Sequence, residues 1–407
     1  MNLQRVKNES VWADLKLLFT TSMLLFLINI FFGFDNALTI GDIPRWQVLI
    51  HLHGGSIGWI TLSAVGIAIW HVTNTREVDA AYEKKVHTII LATVIAFSGY
   101  VPSFGLAFSR ADALVYLLPI FGIFSVTMLW IAAVFTLKEL KNQEVVYTVQ
   151  ILSAGALLVA AIGGTVGALL GLERAIGQFA FWPVGADRVG AHAGMMDTYL
   201  FLVAAAIIEW FSNKDYQQRR TTAGLLQGVI WAVGAAIVPI AVFIDKFEEL
   251  LPIFMLSLLI GLGIFLFRTA WGALKVGPNA EGVKPWAFFG TVWLITYISV
   301  FMYFISVFIG GGSFESVPPY MGVLFAHAGF VGMMTNLIIG VLAVRTWEKR
   351  DLVSWGDKTA LWTINLGILL FVYIKATSDS RLGAIVMGVG ILVGVYTMFT
   401  RLRASEA

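Results

Sequence analysis

Long apolar runs separated by short polar segments dominate the sequence. Twelve of them reach the length of about 20 residues that a helix needs to cross a bilayer. Hydrocarbon offers no water to backbone polar groups, so each run must form a helix that satisfies its own hydrogen bonds. The pattern predicts an all-α polytopic membrane protein with spans at residues 17–34, 48–70, 88–108, 113–136, 147–171, 190–211, 223–244, 250–271, 286–309, 320–344, 359–376 and 382–400.

The distribution of Lys and Arg predicts the topology. With the N-terminus in the cytoplasm, 20 of the 27 basic residues fall on the cytoplasmic side, as the positive-inside rule requires. An even number of spans then places both termini in the cytoplasm. The composition, 58% hydrophobic and 13% charged with a net charge of +2, indicates membrane lipid and not nucleic acid as the partner. Without Cys, the chain has neither disulfides nor thiolate metal sites.

Three segments resemble one another. They read HGGSIGWITL from His53, HAGMMDTYLF from His192 and HAGFVGMMTN from His327, at intervals of 139 and 135 residues. A fixed period of this kind indicates repeated structural units. We predict a single membrane domain over residues 1–407 built from three four-helix repeats, at about 1–140, 141–280 and 281–407. The three histidines then begin the second, sixth and tenth spans, at one depth near the outer face.

Histidines inside a membrane need a reason, because burying an unpaired polar group there costs several kcal/mol. Imidazole is the commonest protein ligand for metals and a usual axial ligand of haem iron. Hydrogen bonding between packed helices is the alternative. The small residues that follow each His would let a flat macrocycle, or a neighbouring helix, lie close.

Twelve spans in three four-helix arcs, with histidines on spans two, six and ten, resemble the catalytic subunit of the haem–copper oxidase superfamily. The segment FAHAGFVGMMTNL at 325–337 is most similar to the tenth helix of nitric oxide reductase large subunits. The resemblance implies a pseudo-threefold arrangement of the arcs in a bacterial or archaeal inner membrane. It further implies at least one haem b between His53 and His327, and copper or non-haem iron at His192.

The binuclear centre of that family is incomplete in this sequence. Phe325 stands where the family has the ligand of its active-site haem, and Met196 replaces the tyrosine or glutamate that follows the sixth-helix histidine. The seventh run, LLQGVIWAVGAAIVPIAVF at 225–243, contains no histidine. Whether the protein is an enzyme stays open at this point; if it is one, a respiratory oxidoreductase is expected.

Several further residues are candidates near the histidines. His51 is the alternative haem ligand, but two residues turn a helix by about 200°, so only one of His51 and His53 can face a given haem. The resemblance implies that Lys375 and Arg381 bind haem propionates, with ordinary interfacial anchoring as the alternative. Asp197 and Tyr199 follow His192 on its side of the helix, where they form either a metal, proton or ligand site or a structural network.

Other ionisable residues are assigned to the surface. Glu209 is predicted to face the cytoplasmic interface, with the start of a proton path as the alternative. His71 and His87 flank the charged segment TNTREVDAAYEKK and are predicted to be solvated.

Together these features predict a haem-binding membrane protein of electron transfer or small-gas (NO or O2) chemistry. A cytochrome c-like protein or a quinol would donate electrons, and a small partner subunit is a further candidate. The alternatives are a haem and copper accessory protein of nitric oxide metabolism, or a secondary transporter.

Overall fold

A computed structural model describes residues 9–38, 43–74, 78–109, 112–177, 187–212, 221–310, 312, 316–377 and 381–404. Within these ranges the chain is helical and contains no β-strand. The helices are α1 (Glu9–Leu38), α2 (Arg45–His53), α3 (Leu62–Thr73), α4 (Ala80–Ser109), α5 (Leu117–Lys141), α6 (Thr148–Ile176), α7 (Asp187–Ser212), α8 (Thr222–Phe243), α9 (Phe247–Phe265), α10 (Trp271–Val276), α11 (Lys284–Ile309), α12 (Pro319–His327), α13 (Asn336–Arg345), α14 (Gly356–Thr377) and α15 (Arg381–Ala404).

Three pairs of these helices are continuous through π-helical segments. Gly54–Thr61 joins α2 to α3, Leu266–Ala270 joins α9 to α10, and Ala328–Thr335 joins α12 to α13. We call the resulting continuous helices helix two, helix eight and helix ten, and we call α7 helix six. π-Helices are rare and occur mostly as single turns at functional sites, so two eight-residue examples call for a physical explanation.

The predicted membrane spans agree with the structure. Among the described residues, eleven continuous helices are long and apolar enough to cross a membrane, and each coincides with one of the predicted runs. The run at 359–376 lies within α14, which is helical but falls outside that set. A multi-pass all-α membrane protein is therefore confirmed, whereas the count of twelve, the three arcs and the cytoplasmic termini remain predictions.

Helices two, six and ten differ from the other spans in burial. Their most apolar eighteen-residue stretches are 78%, 72% and 83% buried, while none of the other eight helices in that set exceeds 56%. A helix that is apolar and covered on all sides belongs inside a bundle, and one that is half exposed faces lipid. The three helices that carry the repeated histidines are thus the most buried of these eleven spans.

The chain divides into two compact units. The first comprises Met1–Leu25 and Arg45–Trp271, and the second comprises Phe26–Pro44 and Gly272–Ala407. Helices two and six belong to the first unit, and helix ten belongs to the second. The first unit contains most of the predicted repeats 1–140 and 141–280, and the second unit contains all of the predicted repeat 281–407. The repeats themselves remain a prediction.

Small residues allow close helix packing in the second unit. A Cβ atom at Gly367 would lie 2.3 Å from the backbone nitrogen of Met387, and one at Gly383 would lie 2.2 Å from that of Phe371. Glycine at these positions therefore lets α14 and α15 approach backbone to backbone, which is how membrane helices commonly associate.

Candidate functional site

His53 is the last residue of α2, immediately before the π-helical segment. Its Nδ1 lies 2.8 Å from the carbonyl oxygen of Leu49, one turn earlier in the same helix. A carbonyl oxygen only accepts, so Nδ1 carries the hydrogen and Nε2 of the neutral ring carries the lone pair. The imidazole stacks on Phe104 of α4, with ring centroids 3.7 Å apart. The ring is therefore fixed in one tautomer and one plane.

His327 has the same local geometry in the second unit. It is the last residue of α12, and its Nδ1 lies 2.9 Å from the carbonyl oxygen of Val323. Nε2 again carries the lone pair by the same reasoning. Phe371 of α14 contacts the imidazole, with ring centroids 4.7 Å apart.

His192 reaches the same tautomer through a neighbouring helix. Its Nδ1 lies 2.8 Å from the carbonyl oxygen of Gly163 in α6. A Cβ atom at Gly167 would come within 2.6 Å of its ring, so glycine is needed there to make room for the imidazole.

His53 and His327 begin copies of a longer motif, which the similarity of the three segments did not reveal. Both histidines begin the pattern His-x-Gly-x-x-Gly-x-x-Thr, which ends at Thr61 and at Thr335. In each copy the residues after the His form an eight-residue π-helical segment, Gly54–Thr61 or Ala328–Thr335. The segment after His192 has Asp197 and Leu200 at the later Gly and Thr positions, and it is α-helical. The motif is therefore present after His53 and His327 and absent after His192.

The glycines of the second-unit motif contact a neighbouring helix. A Cβ atom at Gly329 would lie 2.7 Å from Tyr297, and one at Gly332 would lie 2.5 Å from Trp293, both on α11. Of the two explanations offered for small residues after the histidines, close approach of a helix is the one that applies at these two glycines.

Phe325 lies in an aromatic cluster of the second unit. Its ring stacks on Tyr297 with centroids 4.3 Å apart, and it also contacts Phe301 and Phe304. An apolar ring in this setting ligates no metal. Across the described part of the chain, no group of three or more His, Cys, Asp or Glu side chains is arranged to hold a metal ion.

The remaining candidates have different surroundings. His51 is half-buried on α2, and Asp197 is half-buried on helix six. Tyr199 is fully buried, with its hydroxyl beside Thr61. Arg381 is the half-buried first residue of α15. Lys375 lies in the last turn of α14, and its side chain and residues 378–380 lie outside the described residues.

The prediction for His71 was wrong, whereas that for His87 is confirmed. His71 is fully buried, and its Nδ1 lies 2.9 Å from Ser153 Oγ of α6. Proximity to a charged segment suggested solvent, but the last turn of α3 still packs inside the first unit. The side chain of His87 is 52% exposed and pairs with Asp14 at 2.7 Å.

Glu209 is also buried, so the expected position at the cytoplasmic interface was wrong. One of its carboxylate oxygens, Oε2, accepts hydrogen bonds from Arg268 Nη1 at 2.6 Å and from Thr269 Oγ1 at 2.8 Å. Arg268 also donates to Gln227 Oε1 at 3.1 Å. The carboxylate stays buried because its charge is matched by the guanidinium. This network ties helix six to α8 and to the π-helical segment of helix eight.

No family model matches the sequence, and no curated protein is significantly similar to it. The resemblance to haem–copper oxidases therefore remains a prediction from the sequence.

Proposed function

We propose that this protein binds haem b in the membrane, with His53 and His327 as the axial ligands, and acts in electron transfer or small-gas chemistry. The observation that carries the proposal is the shared tautomer of the two histidines. Each donates its Nδ1 hydrogen to a backbone carbonyl and keeps the Nε2 lone pair. Metal-binding histidines typically hold their second ring nitrogen in this way.

The surroundings of both residues suit a haem ligand. Each histidine lies on one of the most buried helices and precedes the same π-helical motif. Leu49 and Val323 supply the carbonyls that orient the rings, while Phe104 and Phe371 contact the rings. A bound haem would supply a reversible one-electron iron couple.

His192 is proposed to bind a second metal, copper or non-haem iron. Its Nε2 also carries the lone pair, and its imidazole is held between α6 and helix six. His51 is the alternative to His53 as haem ligand, and Arg381 and Lys375 are proposed to bind the propionates. A cytochrome c-like protein or a quinol is proposed as electron donor, with a small subunit as a further partner.

A second candidate is a haem and copper accessory protein of nitric oxide metabolism. The packing of Phe325 among Tyr297, Phe301 and Phe304 favours it, because a side chain committed to an apolar cluster provides no ligand for an active-site haem. This candidate predicts haem and metal in the purified protein without turnover of oxygen or nitric oxide. Turnover by the wild-type protein would favour the oxidoreductase instead.

Absorption spectroscopy of the detergent-purified protein tests the haem proposal. The wild type should show Soret and α bands in the reduced state, with haem quantified as the pyridine complex. His53→Ala and His327→Ala should each lose the low-spin spectrum. His192→Ala should keep it while losing any metal found beyond haem iron by elemental analysis.

His87→Ala is the matched control, because the side chain of His87 is 52% exposed and its ring pairs with Asp14. Its spectrum should equal that of the wild type. A colourless wild-type protein, or unchanged haem content in both ligand variants, would refute the proposal. Loss of haem in His51→Ala together with retention in His53→Ala would move the ligand to His51.

A further inference from the structure

The two threonines that end the His-x-Gly-x-x-Gly-x-x-Thr motif make an unusual hydrogen bond. Thr61 Oγ1 donates to the carbonyl oxygen of Ser56 at 2.9 Å, and Thr335 Oγ1 donates to that of Phe330 at 3.0 Å. Both bonds span five residues, and both acceptors lie three residues after the histidine. The same bond thus closes the π-helical segment in each unit.

Other helical threonines in the described residues bond differently. Thr93, Thr165 and Thr198, for example, each donate to the carbonyl four residues earlier, as in a regular α-helix. A hydroxyl that reaches back five residues matches the i to i+5 spacing of a π-helix and not the i to i+4 spacing of an α-helix. The threonine hydroxyl therefore favours the π-helical register at these two positions.

The register decides where the histidine points. Each residue turns an α-helix by about 100°, and a π-helical hydrogen bond closes over one residue more than an α-helical one. A change from the π-helical to the α-helical register would therefore rotate the helix before the segment relative to the helix after it. His53 and His327 precede the π-helical segments, while the buried helices α3 and α13 follow them. Loss of the π-helical register would turn either imidazole to a different side of its helix.

Close packing fixes the end of each π-helical segment that is farther from the histidine. The rotation would therefore displace the histidine and leave α3 or α13 in place. Gly58 and Gly332 occupy the same motif position, where a Cβ atom would lie 2.8 Å from Leu25 or 2.5 Å from Trp293. In the second unit Asn336, directly after Thr335, also exchanges two hydrogen bonds of 3.0 Å with Asn365 of α14.

We infer that Thr61 and Thr335 are positioning residues, whose hydroxyls hold the π-helical turns that aim His53 and His327 at the haem. The inference rests on the proposed function, because the orientation matters through the iron that the two histidines would share. Helix six provides the natural contrast, since Thr198 makes an ordinary α-helical bond and His192 is oriented by Gly163 of another helix.

Thr61→Val and Thr335→Val test the inference, because valine keeps the shape of threonine and removes the hydroxyl. Losing one hydrogen bond should change the ratio of correctly to incorrectly oriented imidazole by about fivefold. Electron paramagnetic resonance should therefore show low-spin haem converted in part to high-spin haem in both variants, with an altered reduction potential. Thr61→Ser and Thr335→Ser retain the hydroxyl and should restore the wild-type spectrum.

Thr198→Val is the matched control and should leave the haem signals unchanged. Low-spin spectra and reduction potentials equal to wild type in both valine variants would overturn the inference while leaving haem binding intact. A colourless wild type would instead refute the proposed function. If a valine variant does not yield monodisperse protein, the serine variant at that position decides, because a high-spin spectrum there would contradict the role of the hydroxyl.

Discussion

Replacing Glu209 with Gln should destabilise the protein strongly, although the two side chains have nearly the same shape. In the wild type the side chain of Glu209 is only 4% exposed, and its carboxylate faces the guanidinium of Arg268, whose side chain is 14% exposed. The substitution removes the negative charge and leaves the arginine without its counter-ion. Little water can reach either group to compensate.

The magnitude follows from this burial. Removing one partner of a buried ion pair costs about 3–5 kcal/mol, because an uncompensated charge remains. Since Arg268 keeps a slight exposure and its bond to Gln227, the lower end of about 3 kcal/mol is expected, which is roughly a hundredfold change in the folding equilibrium. Removing both charges in Glu209→Gln, Arg268→Gln should cost less than Glu209→Gln alone.

Equilibrium unfolding in mixed micelles of increasing SDS content, followed by tryptophan fluorescence, measures these differences. The first unit offers a matched control in Lys246 and Glu249, an ion pair whose side chains are 52% and 64% exposed. Exposed pairs contribute about 0–1 kcal/mol, so Glu249→Gln should be nearly neutral. A cost for Glu209→Gln no greater than that for Glu249→Gln, or a double variant that is the least stable of all, would show that an unpaired buried charge does not determine the stability.

Three further changes have defined outcomes. Arg401→Met should cost about 3 kcal/mol in the same unfolding assay, because fully buried Arg401 binds both carboxylate oxygens of Asp357, whereas Arg403→Met at an exposed site should be nearly neutral. Gly167→Ala should displace the His192 ring at a cost of about 1–3 kcal/mol, with loss of any second metal by elemental analysis. Asn365→Leu should cost about 1–2 kcal/mol of unfolding free energy, because Trp293 Nε1 of α11 loses its acceptor and Asn336 loses both of its hydrogen bonds to α14. Equal stability of the two arginine variants, or wild-type values for the other two, would contradict these expectations.

Hydropathy was sufficient to place the membrane spans, because a run of about 20 apolar residues has few alternatives to a helix in lipid. It was not sufficient for the interior of those helices. A π-helical segment has the same composition as the α-helix around it, so Gly54–Thr61 and Ala328–Thr335 leave no trace in the hydropathy. The paired glycines and the final threonine of the motif are the signal that could have revealed them.

Burial of charged residues was the weakest part of the sequence interpretation. Neighbouring residues in the chain suggested that His71 and Glu209 face water, but their partners Ser153 and Arg268 lie 82 and 59 residues away. A pairing at such a distance appears only when the helices are packed. His53 and His327, in contrast, were selected because the segments after them are similar in sequence. These two segments also share their backbone conformation, since each forms an eight-residue π-helix.

The unequal burial of the spans has a consequence for how the sequence can change over time. In the most apolar stretch of helix eight only 22% of the residues are buried, against 83% in helix ten. An exchange of one apolar side chain for another on helix eight mostly alters contacts with lipid, which adapts, whereas on helix ten it meets fixed neighbours. Homologues should therefore drift fastest along helix eight and slowest along the histidine-bearing helices, so that distant relatives keep the sequence of those three helices longest.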